Sequence, residues 1–139
     1  MAPADLRQML YERSGLQGMS GISGEMTELL ASDSEGAARA VDFFVYRCQR
    51  EIGSLTAALG GLDGLILTGG MGEHAPEIRR RICAGLGWLG VALDEDANRT
   101  GATRLSAPDA RVPVMMIPTD EETVLARHAE EVLSRGNAI

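Results

Sequence analysis

Apolar residues recur with a helical period over most of this chain, and only a few short continuous apolar runs break the rhythm. The longest regular stretch contains Val41, Val45, Cys48, Ile52, Leu55 and Leu59, which step alternately by four and three and so share one helix face. The pattern predicts a helix from an N-cap at Ser34 to about Leu59, just before Gly60 and Gly61. Shorter helices are predicted from about Ala4 to Arg13, with Pro3 in the first turn, from Glu25 to Ala31, and from about Pro76 to Leu86. Between the first two, "GLQGMSGISGEM" reads as a Gly/Ser-rich loop. Strands are expected at Leu65–Thr68, at 90–93 ("GVAL") and at 112–117 ("VPVMMI"), where Pro113 puts the first residues at a sheet edge. "ATRLSAPDAR" reads as an irregular stretch or a short edge strand. A last helix opens at Thr119, with Glu122 completing a capping box, and fades at Gly136. Strands alternating with helices make this one α/β domain with parallel pairing.

Composition narrows the class. The 139 residues include 45% apolar and 24% charged residues, ordinary for a globular domain with a core of its own. A net charge of −7 argues against a nucleic-acid surface, which needs clustered Lys and Arg. The one basic run, Arg79-Arg80-Arg81, lies in a predicted helix and reads as a solvated face. Cys48 and Cys83 lack metal or CxxC spacing and read as reduced core thiols. No run approaches a membrane span, and "MAPADLRQML" lacks a signal peptide's apolar stretch, so a cytoplasmic location is expected.

Two places carry candidate chemistry. "GMGEHA", Gly70 to Ala75, is a formal match to G-x-G-x-x-G/A between a predicted strand and a predicted helix, and Asp94 stands 22 residues beyond Gly72. That spacing fits a dinucleotide site. Against it, Pro76 delays the helix start, and Glu73 brings a carboxylate close to where a pyrophosphate would sit. A purely structural turn is the plain alternative. Asp120-Glu121-Glu122 open the last helix, where acids complement the helix dipole but also suit Mg²⁺ beside phosphates. Both places follow strands. If those strands are parallel neighbours, the glycine turn and the acids face one crevice, an arrangement suited to phosphoryl transfer.

"LDGLILTGGMGEHAPEIRRRICAGLGWLGVALDEDAN" resembles the C-terminal lobe of the acetate kinase family, where the stretch runs like "FTGGIGEN…IR…LG…LD…N". "RSGLQGMSGISGEMTEL" is similar to that family's "SGLLGISGVSSDMREL", and "VPVMMIPTDEE" to its "VIPTNEE". The resemblance runs in order through essentially the whole chain. It implies an actin-like, ribonuclease H-like ATPase lobe with parallel strands flanked by helices. It also implies transfer of the γ-phosphoryl of ATP to acetate or another short-chain carboxylate, and pairing as a homodimer. Carried over by position, Gly70, Met71, Gly72, Glu73 and His74 would line the adenosine pocket of ATP or ADP, with Glu25, Met26 and Thr27 as a second nucleotide segment. Glu121 would be the magnesium-associated glutamate.

Departures from the pattern matter as well. Thr27 replaces an arginine, His74 an asparagine and Glu25 an aspartate, and each weakens the expected polar contacts to nucleotide. The resemblance places the acetate pocket, the catalytic aspartate, the transition-state arginine and histidine, and the phosphate-facing glycine loop outside these residues. Little or no catalysis by this chain alone is therefore expected. An open parallel sheet also exposes an edge, so self-association is expected, with the Val41–Leu59 face as part of the interface. The alternatives are a non-catalytic nucleotide-binding or dimerisation module and, further off, a dinucleotide-binding domain.

Overall fold

A computed structural model describes residues 2–136. Helices α1 (Pro3–Glu12), α2 (Gly15–Ser20) and α3 (Met26–Leu30) lead into the long α4 (Glu35–Leu59). Strand β1 (Leu65–Leu67) is followed by α5 (Gly69–His74), α6 (Pro76–Ala84), a 3-10 turn at Gly87–Leu89 and α7 (Glu95–Thr100). Strand β2 (Val114–Met116) and α8 (Glu121–Gly136) complete the order. The two strands pair in parallel, in the register Leu65–Val114, Ile66–Met115 and Leu67–Met116. The result is an α/β fold with a small parallel sheet flanked by helices.

The core gathers Leu29 from α3, Ala37, Ala40 and Val41 from α4, Ile78, Ile82 and Leu86 around α6, and Leu105 and Val114 beside the sheet. α4 begins where the hydroxyl of Ser34 accepts from the Gly36 N–H at 3.1 Å, as its sequence predicts. Its apolar stripe is buried at Val41 and Val45, but Leu55 and Leu59 are 56% and 75% exposed, and near the C-terminal end it is Thr56 that faces the body.

Several expectations change. The Gly/Ser-rich stretch holds a helix, α2, whose packing against α4 overrides its poor propensity. Residues 90–93 do not form a regular strand. Val91 makes one parallel bridge to Val112, and Leu93 one antiparallel bridge to Ser106. The segment expected to be irregular or edge-like pairs with both neighbours: Leu105 donates to the Val114 carbonyl at 2.8 Å and accepts from Asp94 N–H at 2.8 Å. Residues 94–98 ("DEDAN") cap and begin α7: the Asp94 Oδ1 accepts from Ala97 N–H at 2.9 Å. No helix among the described residues is long and apolar enough to cross a membrane.

Candidate functional site

The glycine turn is itself a helix. α5 starts at Gly69, whose φ of +71° suits glycine, and Gly72 lies against β1 so closely that a Cβ there would come within 2.9 Å of the Leu67 carbonyl carbon. Three glycines in six residues make a poor helix former, so the element is held from outside. At its N-terminus the Thr68 side chain makes no cap bond. Instead the Glu73 carboxylate folds back, and its Oε1 accepts from Gly69 N–H at 2.9 Å. The same oxygen accepts from Thr119 N–H at 2.9 Å and Thr119 Oγ1–H at 3.1 Å. These bonds, the Thr119 amide first, hold the Glu73 carboxyl below its ordinary pKa.

At the C-terminal end, Pro76 has no N–H to give the Gly72 carbonyl, which would be its partner in a continuing helix. Arg79 supplies the donor. Its Nη1 donates to the carbonyls of Gly72 and Glu73 at 2.9 and 2.8 Å, while Nε and Nη2 donate to Asn98 Oδ1 and the Asn98 carbonyl at 2.7 and 2.6 Å. Asn98 Nδ2 returns a bond to the Pro76 carbonyl at 3.0 Å. Arg79 is only 2% exposed, and burial lowers its pKa from the ordinary value. A cation therefore sits at the negative end of α5 and an anion at its positive end. This corrects the reading of the arginine run as a solvated face: Arg80 and Arg81 pair with Glu77 at 2.7 and 2.6 Å, but Arg79 is buried. Sequence reasoning gave Arg79 and Asn98 no role. The available signal was spacing, since Arg79 and Cys83 extend the buried Ile78, Ile82, Leu86 stripe by one column.

Across α5 lies the segment between α2 and α3. Ser20 Oγ accepts from the N–H groups of Ile22 and Ser23, both at 3.1 Å, and donates to the Ser23 carbonyl at 2.9 Å. Ser23 Oγ then accepts from Glu25 N–H at 3.0 Å. Both serines are buried, so this turn is fixed just where Glu25, Met26 and Thr27 begin. A cleft of about 430 Å³ opens between the two segments, lined by residues 24–27 on one side and by Gly70, Met71, His74 and Ala75 on the other. Of the residues named from the sequence, Glu25, Met26, Thr27, Gly70, Met71 and His74 meet there. Met26 is 6% exposed and belongs mostly to the core. Gly72 and Glu73 do not line the cleft. Gly72 packs on β1, and the carboxylate of Glu73 is taken by Gly69 and Thr119.

Glu121 borders a second hollow of about 430 Å³, with Gly69, Gly70 and Thr119. The two hollows share Gly70, so the parallel strands do bring the glycine segment and the acidic turn together. The capping box expected at Thr119 is not formed: Thr119 is bound to Glu73, and Asp120 caps α8 by accepting from Thr123 N–H at 3.1 Å. Among the described residues no three His, Cys, Asp or Glu side chains converge as a metal cage. A single carboxylate such as Glu121 is compatible with Mg²⁺ only where phosphates and water complete the shell.

Where a dinucleotide's pyrophosphate would approach, the N-terminus of α5, the Glu73 carboxylate is bound to Gly69 N–H, and Asp94 serves as the cap of α7.

A family profile described as the Acetokinase family matches residues 1–127. The acetate kinase of Rhodopseudomonas palustris (strain TIE-1) is 54% identical over 138 residues, covering 98% of this chain and 35% of that protein. The acetate kinase of Rhizobium meliloti is 50% identical over 130 residues, covering 94% of this chain and 33% of its own length. In structure, the acetate kinase of Entamoeba histolytica superposes with a TM-score of 0.83 at 29% identity, over 92% of this chain and 36% of that one. That of Porphyromonas gingivalis gives 0.80 at 30% identity, over 96% and 35%. This chain therefore spans about a third of the length of the relatives it matches. On the family match and these identities, it belongs to the acetokinase family.

Proposed function

We propose that this chain forms the nucleotide-binding part of an acetate kinase-type phosphotransferase, which converts ATP and a short-chain carboxylate to ADP and an acyl phosphate. The observation that carries the reading is the cleft between residues 24–27 and 70–75, two segments separated in sequence by the whole of α4. Met71, Met26 and Ala75 give it an apolar wall for a nucleoside, and Glu25, Thr27 and His74 a polar rim. Gly70 leaves the floor without a side chain, so a ligand approaches the backbone directly. Glu121, in the adjoining hollow, would help hold Mg²⁺, whose chemistry is to neutralise charge on the phosphates. In this reading the acceptor site and the groups that stabilise the transferring phosphoryl belong to the remainder of such an enzyme. The reducing cytoplasm suits the two free cysteines.

Calorimetric titration of the chain with Mg–ATP, with NADH as control, tests the reading. Saturable binding of ATP and none of NADH is expected, and the reverse pattern, or no binding of either, refutes it. Pairing of two copies belongs to the same proposal. Of the Val41–Leu59 face expected to supply the interface, Val41 and Val45 are buried in the core and only Leu55 and Leu59 stay exposed. Phe43 and Tyr46 on α4 offer further apolar area, and a monomer in sedimentation at high micromolar concentration would count against pairing.

A further inference from the structure

We propose that Glu73 is a positioning residue that couples the nucleoside cleft to the turn carrying Glu121, and that it does not itself touch nucleotide. The proposal rests on the nucleotide-binding reading above. Its basis is a single oxygen with three donors. Oε1 of Glu73 takes Gly69 N–H from the start of α5, and both the N–H and the hydroxyl of Thr119 from the link between β2 and α8. Thr119 lies 46 positions from Glu73, so the bridge is tertiary. Because β1 and β2 run parallel, the segments leaving their C-terminal ends emerge side by side, and the carboxylate ties those two exits together. Charge-assisted bonds of this kind are among the stronger ones.

The placement has a functional consequence. Gly70, next to the bonded Gly69, is the residue common to both hollows, and Glu121 stands two residues beyond Thr119. One side chain thus sets the distance between the place for a nucleoside and the carboxylate offered to its cation. A direct ligand would govern affinity for the nucleoside itself. A bridge governs how strongly cation and nucleotide assist each other, which is a coupling free energy between sites.

Calorimetry on the 139-residue chain separates the two, with adenosine, ADP in a chelator, and ADP with Mg²⁺ as probes. In the unmodified chain Mg²⁺ should tighten ADP binding. Glu73→Ala should reduce that enhancement by about fivefold or more, while adenosine affinity stays within about twofold. Glu73→Gln keeps an acceptor in place and should recover part of the enhancement. Glu121→Gln should lower it too, and adding Glu73→Ala to that variant should change little, since the two act through one linkage. Without ligand, hydrogen exchange at the Gly69 and Thr119 amides should speed up together in Glu73→Ala. Thr119→Val, which removes one of the three donors, serves as a milder second variant and should give a smaller loss of enhancement. An unchanged Mg²⁺ enhancement in a folded Glu73→Ala overturns the proposal, as does an equal loss of adenosine affinity. If the unmodified chain binds no probe, the nucleotide reading fails, and the coupling falls with it.

Discussion

Replacing Arg79 by methionine keeps an apolar stem of similar length and removes every donor of the guanidinium. Four bonds go at once: two to the C-terminal carbonyls of α5 and two to Asn98. Methionine fills much of the same space, so the cavity contribution is small. The loss comes from acceptors left in a site that is 2% exposed. The Gly72 carbonyl has no substitute donor nearby, because residue 76 is proline. An unsatisfied buried acceptor costs about 1–3 kcal/mol, and several neutral acceptors lose their donor together, partly offset by no longer burying a cation. A loss of roughly 4 kcal/mol is therefore expected, a large share of the 5–15 kcal/mol typical of a domain. In urea, with a slope of about 2 kcal/mol per molar, the midpoint should fall by about 2 M. The melting temperature should fall by roughly 10–15 °C. Arg79→Lys should lie between, because one ammonium cannot reach α5 and Asn98 in the same fork geometry. At temperatures where the methionine variant is still folded, nucleotide affinity should drop too, since α5 forms one wall of the cleft. A loss below about 1 kcal/mol would refute the reasoning, because it would mean that water or another group satisfies those carbonyls as well as the guanidinium does.

Three further outcomes are expected. A Cβ on Gly70 meets nothing within 4 Å, whereas one on Gly72 meets the Leu67 carbonyl carbon at 2.9 Å. Gly70→Val should therefore keep the fold and weaken nucleotide binding about tenfold, while Gly72→Ala should lower the urea midpoint by the equivalent of about 1–3 kcal/mol. Glu77, held by Arg80 and Arg81, has its carboxyl lowered from 4.5 to about 2. As pH falls through that window the unfolded chain takes up the proton first, so the stabilisation is complete above about 4.5 and gone below about 2. Urea midpoints should drop between pH 5 and about pH 2.5, less steeply in Glu77→Gln, and modestly in both because the pair is partly exposed and screened by salt. Burial pushes the Cys83 thiol up to about 12, so an aromatic disulfide reagent at pH 8 should reach it only after denaturant is added.

What could be read from sequence was what repeats along one element. The extent of α4, its Ser34 cap and the two strands are periodic or continuous patterns, and they appear where the pattern puts them. What could not be read depends on partners distant in sequence. Three glycines argue against a helix at 69–74, and only Glu73 reaching its first N–H and Arg79 its last carbonyls make one. Arg79 itself was hidden by its neighbours, because three arginines in a row look alike while only the first falls on the buried stripe of α6. The resemblance named two segments that line one cleft but could not separate roles inside them. Met71 and His74 border the space, whereas Gly72 and Glu73 build the wall behind it.

The molecule completes its polar anchoring and leaves apolar surface bare. Every buried side-chain polar atom among the described residues has a hydrogen-bond partner, including the whole of Arg79 and the serine turn before Glu25. Its strands tell the other half. "LIL" and "VMM" are apolar at every position, the pattern of strands covered on both faces, yet only one face is packed here. Val114 is fully buried, while the register pair Ile66 and Met115 is 58% and 37% exposed on the opposite side. Leu125, Val132 and Leu133 on α8 are exposed to a similar or greater degree. These two properties bear on different steps of the proposed function. Binding needs a cleft whose walls are held, and both walls are held by bonds made within this chain. Phosphoryl transfer needs charge stabilisation brought to a substrate shielded from water, which is the business of surfaces that close over one another. On the proposed function, the cleft fixed within this chain would receive nucleotide, and the open sheet face would take the covering surface.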